Sequence, residues 1–148
     1  MERETAPNRW EDWRFRIVEV VLHEAAFGSA ERVLRDDGRM RRTLHPGFRL
    51  ELFGDQGEGY HLNLSSGTPV WFVVWRIDDE DPSRAWPETV SLSYGEAGRW
   101  LDAQERVDNV PLQPELAVWL QAYTDLNYRP EPKKRRRPQS FVAPDQRS

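Results

Sequence analysis

A chain of 148 residues with a net charge of −4 is sized for one domain and can bury a core without covalent staples. It contains no cysteine, which excludes disulfides, thiolate metal sites, iron–sulfur ligation and thiol nucleophiles. The composition is polar, with a mean hydropathy of −0.81, yet seven Trp, six Phe and four Tyr supply enough apolar surface for a core.

Residues 1–9 read as a disordered N-terminus. The opening "MERETAPNRWEDW" has no apolar run, so neither a signal peptide nor a membrane anchor is expected, and the expected location is cytoplasmic. "WRFRIVEVVL", Trp13 to Leu22, is rich in β-branched and aromatic residues and predicts a strand. Asp37-Gly38 is a hairpin-turn dipeptide, which predicts a ribbon of Arg32–Arg35 with Arg39–Thr43. A short helix from Ser29 is the competing reading. "FRLELF", Phe48 to Phe53, and "GYHLNLSS", from Gly59, alternate apolar and polar residues and predict two more strands. "PVWFVVWRI", Pro69 to Ile77, is apolar on both faces and predicts a central strand.

An acidic loop, Asp78 to Glu88, leads to a strand at Thr89–Tyr94. Ser93 with Glu96 three residues on forms a capping box and starts a helix. Pro114 opens a second helix, whose Leu116, Trp119, Leu120 and Tyr123 form one apolar face. "VDNVPLQ" reads as the linker between them. Strands followed by helices predict an α+β fold: an antiparallel β-sheet or half-barrel of about five to seven strands with two C-terminal helices. The domain expected is 10–128, followed by a flexible, basic, Pro-rich tail, 129–148, that is disordered.

The chemistry-bearing residues form no reaction signature. His23, His45 and His61 have no His or carboxylate at metal-ligand spacing, and structural or surface roles are expected. Asp78, Asp79, Glu80 and Asp81 lack the alternation and the glycine of a calcium loop. "GDQGEG" has glycines but two acids and, as read here, no following helix to receive phosphate. Ser65 and Ser66 lie outside any nucleophile elbow. Trp71, Trp75, Trp100 and Trp119 are expected in the core, whereas Trp10, Trp13 and Trp86 are candidates for an exposed aromatic patch.

The charge is unevenly placed. The segment from Arg129 onward carries +5 and the remainder −9. Lys133, Lys134, Arg135, Arg136 and Arg137 form a run between prolines and are the candidate partner-binding residues. A body at −9 repels phosphates, which argues against nucleic acid as the partner. Weak attachment of the tail to the acidic loop of its own molecule is a further possibility.

"WEDWRFRIVEVVL", "EGYHLNLSSGTPVWFVVWRIDDED", "VSLSYGEAGRWLDAQERVDNVPL" and "WLQAYTDLNYRPEPKKRRR" together resemble the bacterial domain of unknown function 3305 family, over Trp10 to Arg137. The most specific piece is Tyr128 to Lys134. The resemblance implies small proteins encoded beside molybdenum-dependent formate dehydrogenase genes, with no assigned activity. It also implies a second tyrosine in relatives where this chain has His61, which weakens a catalytic role for that residue. The functional expectation is a non-enzymatic accessory or assembly factor without cofactor, binding a protein partner such as a formate dehydrogenase subunit. The alternatives are a nucleic-acid-binding regulator using the basic tail and a small enzyme with an unrecognised site. The enzyme reading requires a deep pocket with convergent polar groups.

Overall fold

The computed structural model describes residues 1–129. Seven strands form two antiparallel sheets, and three α-helices accompany the second. The first sheet contains β1 (Glu2–Thr5), β2 (Trp13–Arg16), β3 (Arg32–Asp36) and β4 (Met40–Leu44) in the order β2-β1-β4-β3. The second contains β5 (Val70–Ile77), β6 (Ala85–Ser91) and β7 (Arg106–Pro111) in the order β6-β5-β7. Helix α1 spans Gly57–Ser65, α2 Tyr94–Asp102 and α3 Pro114–Asn127. Neither sheet closes into a barrel. Among the described residues, no helix is long and apolar enough to cross a membrane.

The α+β class, the antiparallel pairing, the Asp37-Gly38 hairpin and the central strand all stand as read from the sequence. Gly38 adopts φ 85°, the left-handed conformation that glycine enters without steric penalty. Asp37 accepts the amides of Arg39 and Met40 through its Oδ1, closing the turn. Strand β5 pairs on both edges and buries Trp71 to Trp75 without interruption. Ser93 caps α2 by accepting the Glu96 amide at 3.3 Å, and Pro114 occupies the first turn of α3.

Five expectations are corrected. Residues 2–5, read as disordered, form an inner strand. Glu2 lies between Arg16 and Arg42 in the ladders and pairs with both at 3.0 Å, so backbone pairing and charge together order the segment. The strand at Trp13 stops at Arg16, because the Ile17 amide leaves the ladder and donates to Asp108 Oδ2 at 2.8 Å. Phe48–Phe53 carries no regular structure. The segment around Tyr60 is helix, not strand, and it packs on both α2 and α3. The linker between the last two helices contains β7, an edge strand whose Val110 opposes Trp71.

Two smaller corrections concern β6 and Trp119. Strand β6 begins four residues before Thr89; Pro87 fits because the ladder shifts register there on an edge strand. Trp119 is 46% exposed, and α3 turns Leu120 and Thr124 inward instead.

The core lies against the β5 face that carries Trp71, Val73 and Trp75. Ile17, Tyr60, Leu92, Val110, Leu112 and Leu120 close over it. The opposite face meets α2 through Phe72 and Tyr94, whose rings stack edge-on at 5.7 Å. The first sheet reaches the core through Phe15, 6.1 Å from the Trp75 ring, and through Arg3, which donates to the Ser83 carbonyl at 3.0 Å.

Candidate functional site

The two sheets meet along only part of their length, and the gap holds two cavities. The larger is a trough of about 740 Å³ walled by Ile17, Val20, Val21, Phe27, Leu44, Phe48, Val73 and Val90, with His23, His45 and Arg49 among its polar residues. Its origin is local. After Arg16 the chain runs irregularly to a single 3-10 turn at Ala25–Phe27, and after Leu44 as another irregular segment to Phe53. Both segments are apolar on one side yet pair with no strand, so they drape over the Val73 and Val90 face rather than sealing it. Val21 is 43% exposed and Phe48 39%, so the rim is apolar and wet.

The smaller cavity, about 340 Å³, is polar. Arg3, Arg41, Arg84, Glu31, Asp81 and Ser83 line it, with Phe15 at its wall. Met1, Thr43 and His45 line both cavities, so the polar end adjoins the apolar trough. Arg3 and Arg41 are directly opposed in the β1–β4 ladder, on the face turned toward the second sheet. Asp81 is engaged locally: its Oδ1 accepts the Ser83 hydroxyl at 2.6 Å and the Ser83 amide at 3.1 Å, and these bonds hold its carboxyl below the ordinary carboxylate value.

His45 lies at the junction with its side chain 10% exposed. Burial, with a smaller effect from the nearby N-terminal ammonium, lowers its pKa from the ordinary 6.5 and keeps the ring neutral at pH 7. Its Nδ1 stands 3.8 Å from Glu31 Oε2, beyond hydrogen-bond distance, so no carboxylate orients the ring as a base. Among the described residues, no group of three or more His, Asp or Glu is placed to hold a metal ion.

The residues singled out in the sequence are scattered. Lys133, Lys134, Arg135, Arg136 and Arg137 lie outside the described residues. Asp78 and Asp81 shape the β5–β6 turn: Asp78 accepts the Glu80 amide at 2.9 Å, and the loop is the solvated turn expected. His61 sits on α1 beside Tyr128, ring centroids 5.5 Å apart. "GDQGEG" does run into a helix, with Gly57 and Gly59 inside α1, but these glycines serve packing: a Cβ at Gly57 would stand 2.6 Å from the Tyr128 Cβ. Trp10, 83% exposed, and Trp86, 37%, form no joint patch with the trough. Sequence reasoning missed the arginines of β1 and β4. Their only sequence signal is "MRRT" and "ERET", which read as ordinary charged surface until the ladder opposes them.

No curated protein and no solved structure matches the chain significantly. The model of the family described as protein of unknown function (DUF3305) matches residues 1–137, and the chain therefore belongs to that family.

Proposed function

We propose that this protein is a non-enzymatic accessory factor that binds a protein partner in the trough between its sheets. The observation that carries this reading is the trough itself: about 740 Å³, walled by side chains of both sheets and rimmed by exposed Val21 and Phe48. An apolar surface of that kind costs solubility unless something covers it. An extended apolar segment of another protein fits a trough walled by two irregular segments that join neither sheet. The gene neighbourhood implied by the family resemblance makes a formate dehydrogenase subunit the first partner to test. Lys133 to Arg137 add salt-sensitive attraction to an anionic partner surface.

The enzyme reading requires a base held against a nucleophile, and His45 lacks an orienting partner within hydrogen-bond distance. The nucleic-acid reading rests on the basic run alone. The test is capture from cells grown on formate, using a tagged copy with a photocrosslinking residue in place of Phe48. The expected product is a crosslinked dehydrogenase subunit, competed away by charge pairs introduced at Val21 and Val90. Capture of no protein at low and moderate salt would end this reading; nuclease-sensitive capture would favour the regulator.

A further inference from the structure

The polar cavity has features that the fold alone does not explain. Arg3 and Arg41 are cross-strand neighbours of like charge, an arrangement that destabilises a sheet. Among the described residues, Arg3 has no carboxylate within ion-pair distance, and Arg41 has only Asp36, at 4.0 Å. Both keep a buried Nε–H with no acceptor among the described residues. Arg84, from the β5–β6 turn, lines the same cavity, where among the described residues it has no carboxylate at ion-pair distance and feels Asp81 only through space. Three guanidiniums thus converge while the acids beside them, Glu31 and Asp81, face His45 and Ser83.

We propose that this cavity binds a carboxylate side chain, an Asp or Glu of the protein segment that occupies the adjoining trough. The proposal rests on the docking reading above. The charges call for an anion: three arginines and the Met1 ammonium stand against two acids, leaving positive charge that a carboxylate offsets. Planar guanidinium forks match a carboxylate with two parallel hydrogen bonds and accept it with little reorganisation. Met1, Thr43 and His45 line both cavities, so an apolar segment in the trough can set an acidic side chain among the arginines. The like-charge opposition of Arg3 and Arg41 is the stability given up for a preformed anion site.

Acetate serves as the probe, titrated at constant ionic strength into the full-length protein while the arginine Nε–H signals are followed by NMR. Saturable shifts of the Arg3 and Arg41 signals are expected, with acetate affinity about tenfold weaker in Arg3→Gln and in Arg41→Gln. Arg41→Gln should melt at or above the parent temperature, because the repulsion is gone, whereas Arg3→Gln also gives up its bond to the Ser83 carbonyl and is read by affinity alone. Arg84→Gln, in an exposed turn closed by backbone bonds, gives the same reading if a strand variant does not fold. Three results would overturn the proposal: no saturable acetate response, a stronger response to inorganic phosphate than to acetate, or lost response together with a lowered melting temperature in Arg41→Gln. Failure of the trough to capture protein while acetate still binds would remove the docking reading and the peptide source. A captured partner with a silent acetate titration would remove the arginine anchor alone.

Discussion

Asn63 is the most connected polar side chain in the core. It is 1% exposed, donates through Nδ2 to the carbonyls of Val70 and Leu92 at 2.8 and 2.9 Å, and accepts the Val70 amide at 3.0 Å. One amide thus completes the hydrogen bonding where β5 begins and where β6 runs into α2. Asn63→Ala leaves three backbone groups buried without partners, and a loss of about 2–4 kcal/mol in denaturant unfolding is expected. Gly59 is equally constrained, because a Cβ there would collide with the Ser93 hydroxyl that caps α2. Gly59→Ala should cost about 1–3 kcal/mol by the same measurement. Glu2 offers a pH test. Its hydrogen bonds to Arg42, with a further one to Arg16, hold its carboxyl below the ordinary 4.5. A depressed folded-state pKa means that the unfolded chain binds more protons, so this stabilisation is present above 4.5 and is lost as pH falls through the folded value. Melting curves of Glu2→Gln should show a shallower fall in stability on acidification than the parent.

At the scale of elements, β5 carries the fold. Both its edges are paired, and Trp71 and Trp75, 4% and 8% exposed, face the sheet-to-sheet interior. Trp71 also donates its indole N–H to Gln113, which in turn donates to the Val20 carbonyl, so one ring ties β5, the entrance of α3 and the trough wall together. Replacing either tryptophan with alanine should cost about 3–5 kcal/mol. If both variants melt within a degree or two of the parent, β5 is not the organising strand. Helix α1 shows why an element can be misread. Tyr60, Leu62 and Leu64 alternate as in a strand, but Leu62 is 47% exposed while Tyr60 and Asn63 are buried at helical spacing. The polar member of that buried pair hides the helical period from a hydrophobicity pattern.

For the whole molecule, the described core closes over β5 within residues 17–120. Residues 130–148 are therefore expected to be dispensable for stability but not for binding. A chain truncated after Arg129 should unfold at the parent's denaturant midpoint. Replacing Lys133, Lys134, Arg135, Arg136 and Arg137 with Gln should weaken capture of the partner at physiological salt and flatten its salt dependence. A truncated chain that no longer folds, or a five-Gln variant that captures partner as well as the parent, would separate the basic run from the docking function.

The sequence by itself determined the α+β class, the β5 strand, the Asp37-Gly38 hairpin and the starts of α2 and α3. Each is written in local terms: apolar runs, a turn dipeptide, a capping box, a helix-opening proline. Tertiary structure alone decided that residues 2–5 would be an inner strand, that Tyr60 would lie on a helix, and that Arg106–Pro111 would add an edge to β5. Those segments are polar or ambiguous and acquire their form from packing partners elsewhere in the chain, the strand residues pairing across 8 to 41 positions. The candidate site was illegible for the same reason. Arg3, Arg41 and Arg84 share no spacing or motif, and only the pairing of β1 with β4 and the meeting of the two sheets bring their charges to one cavity.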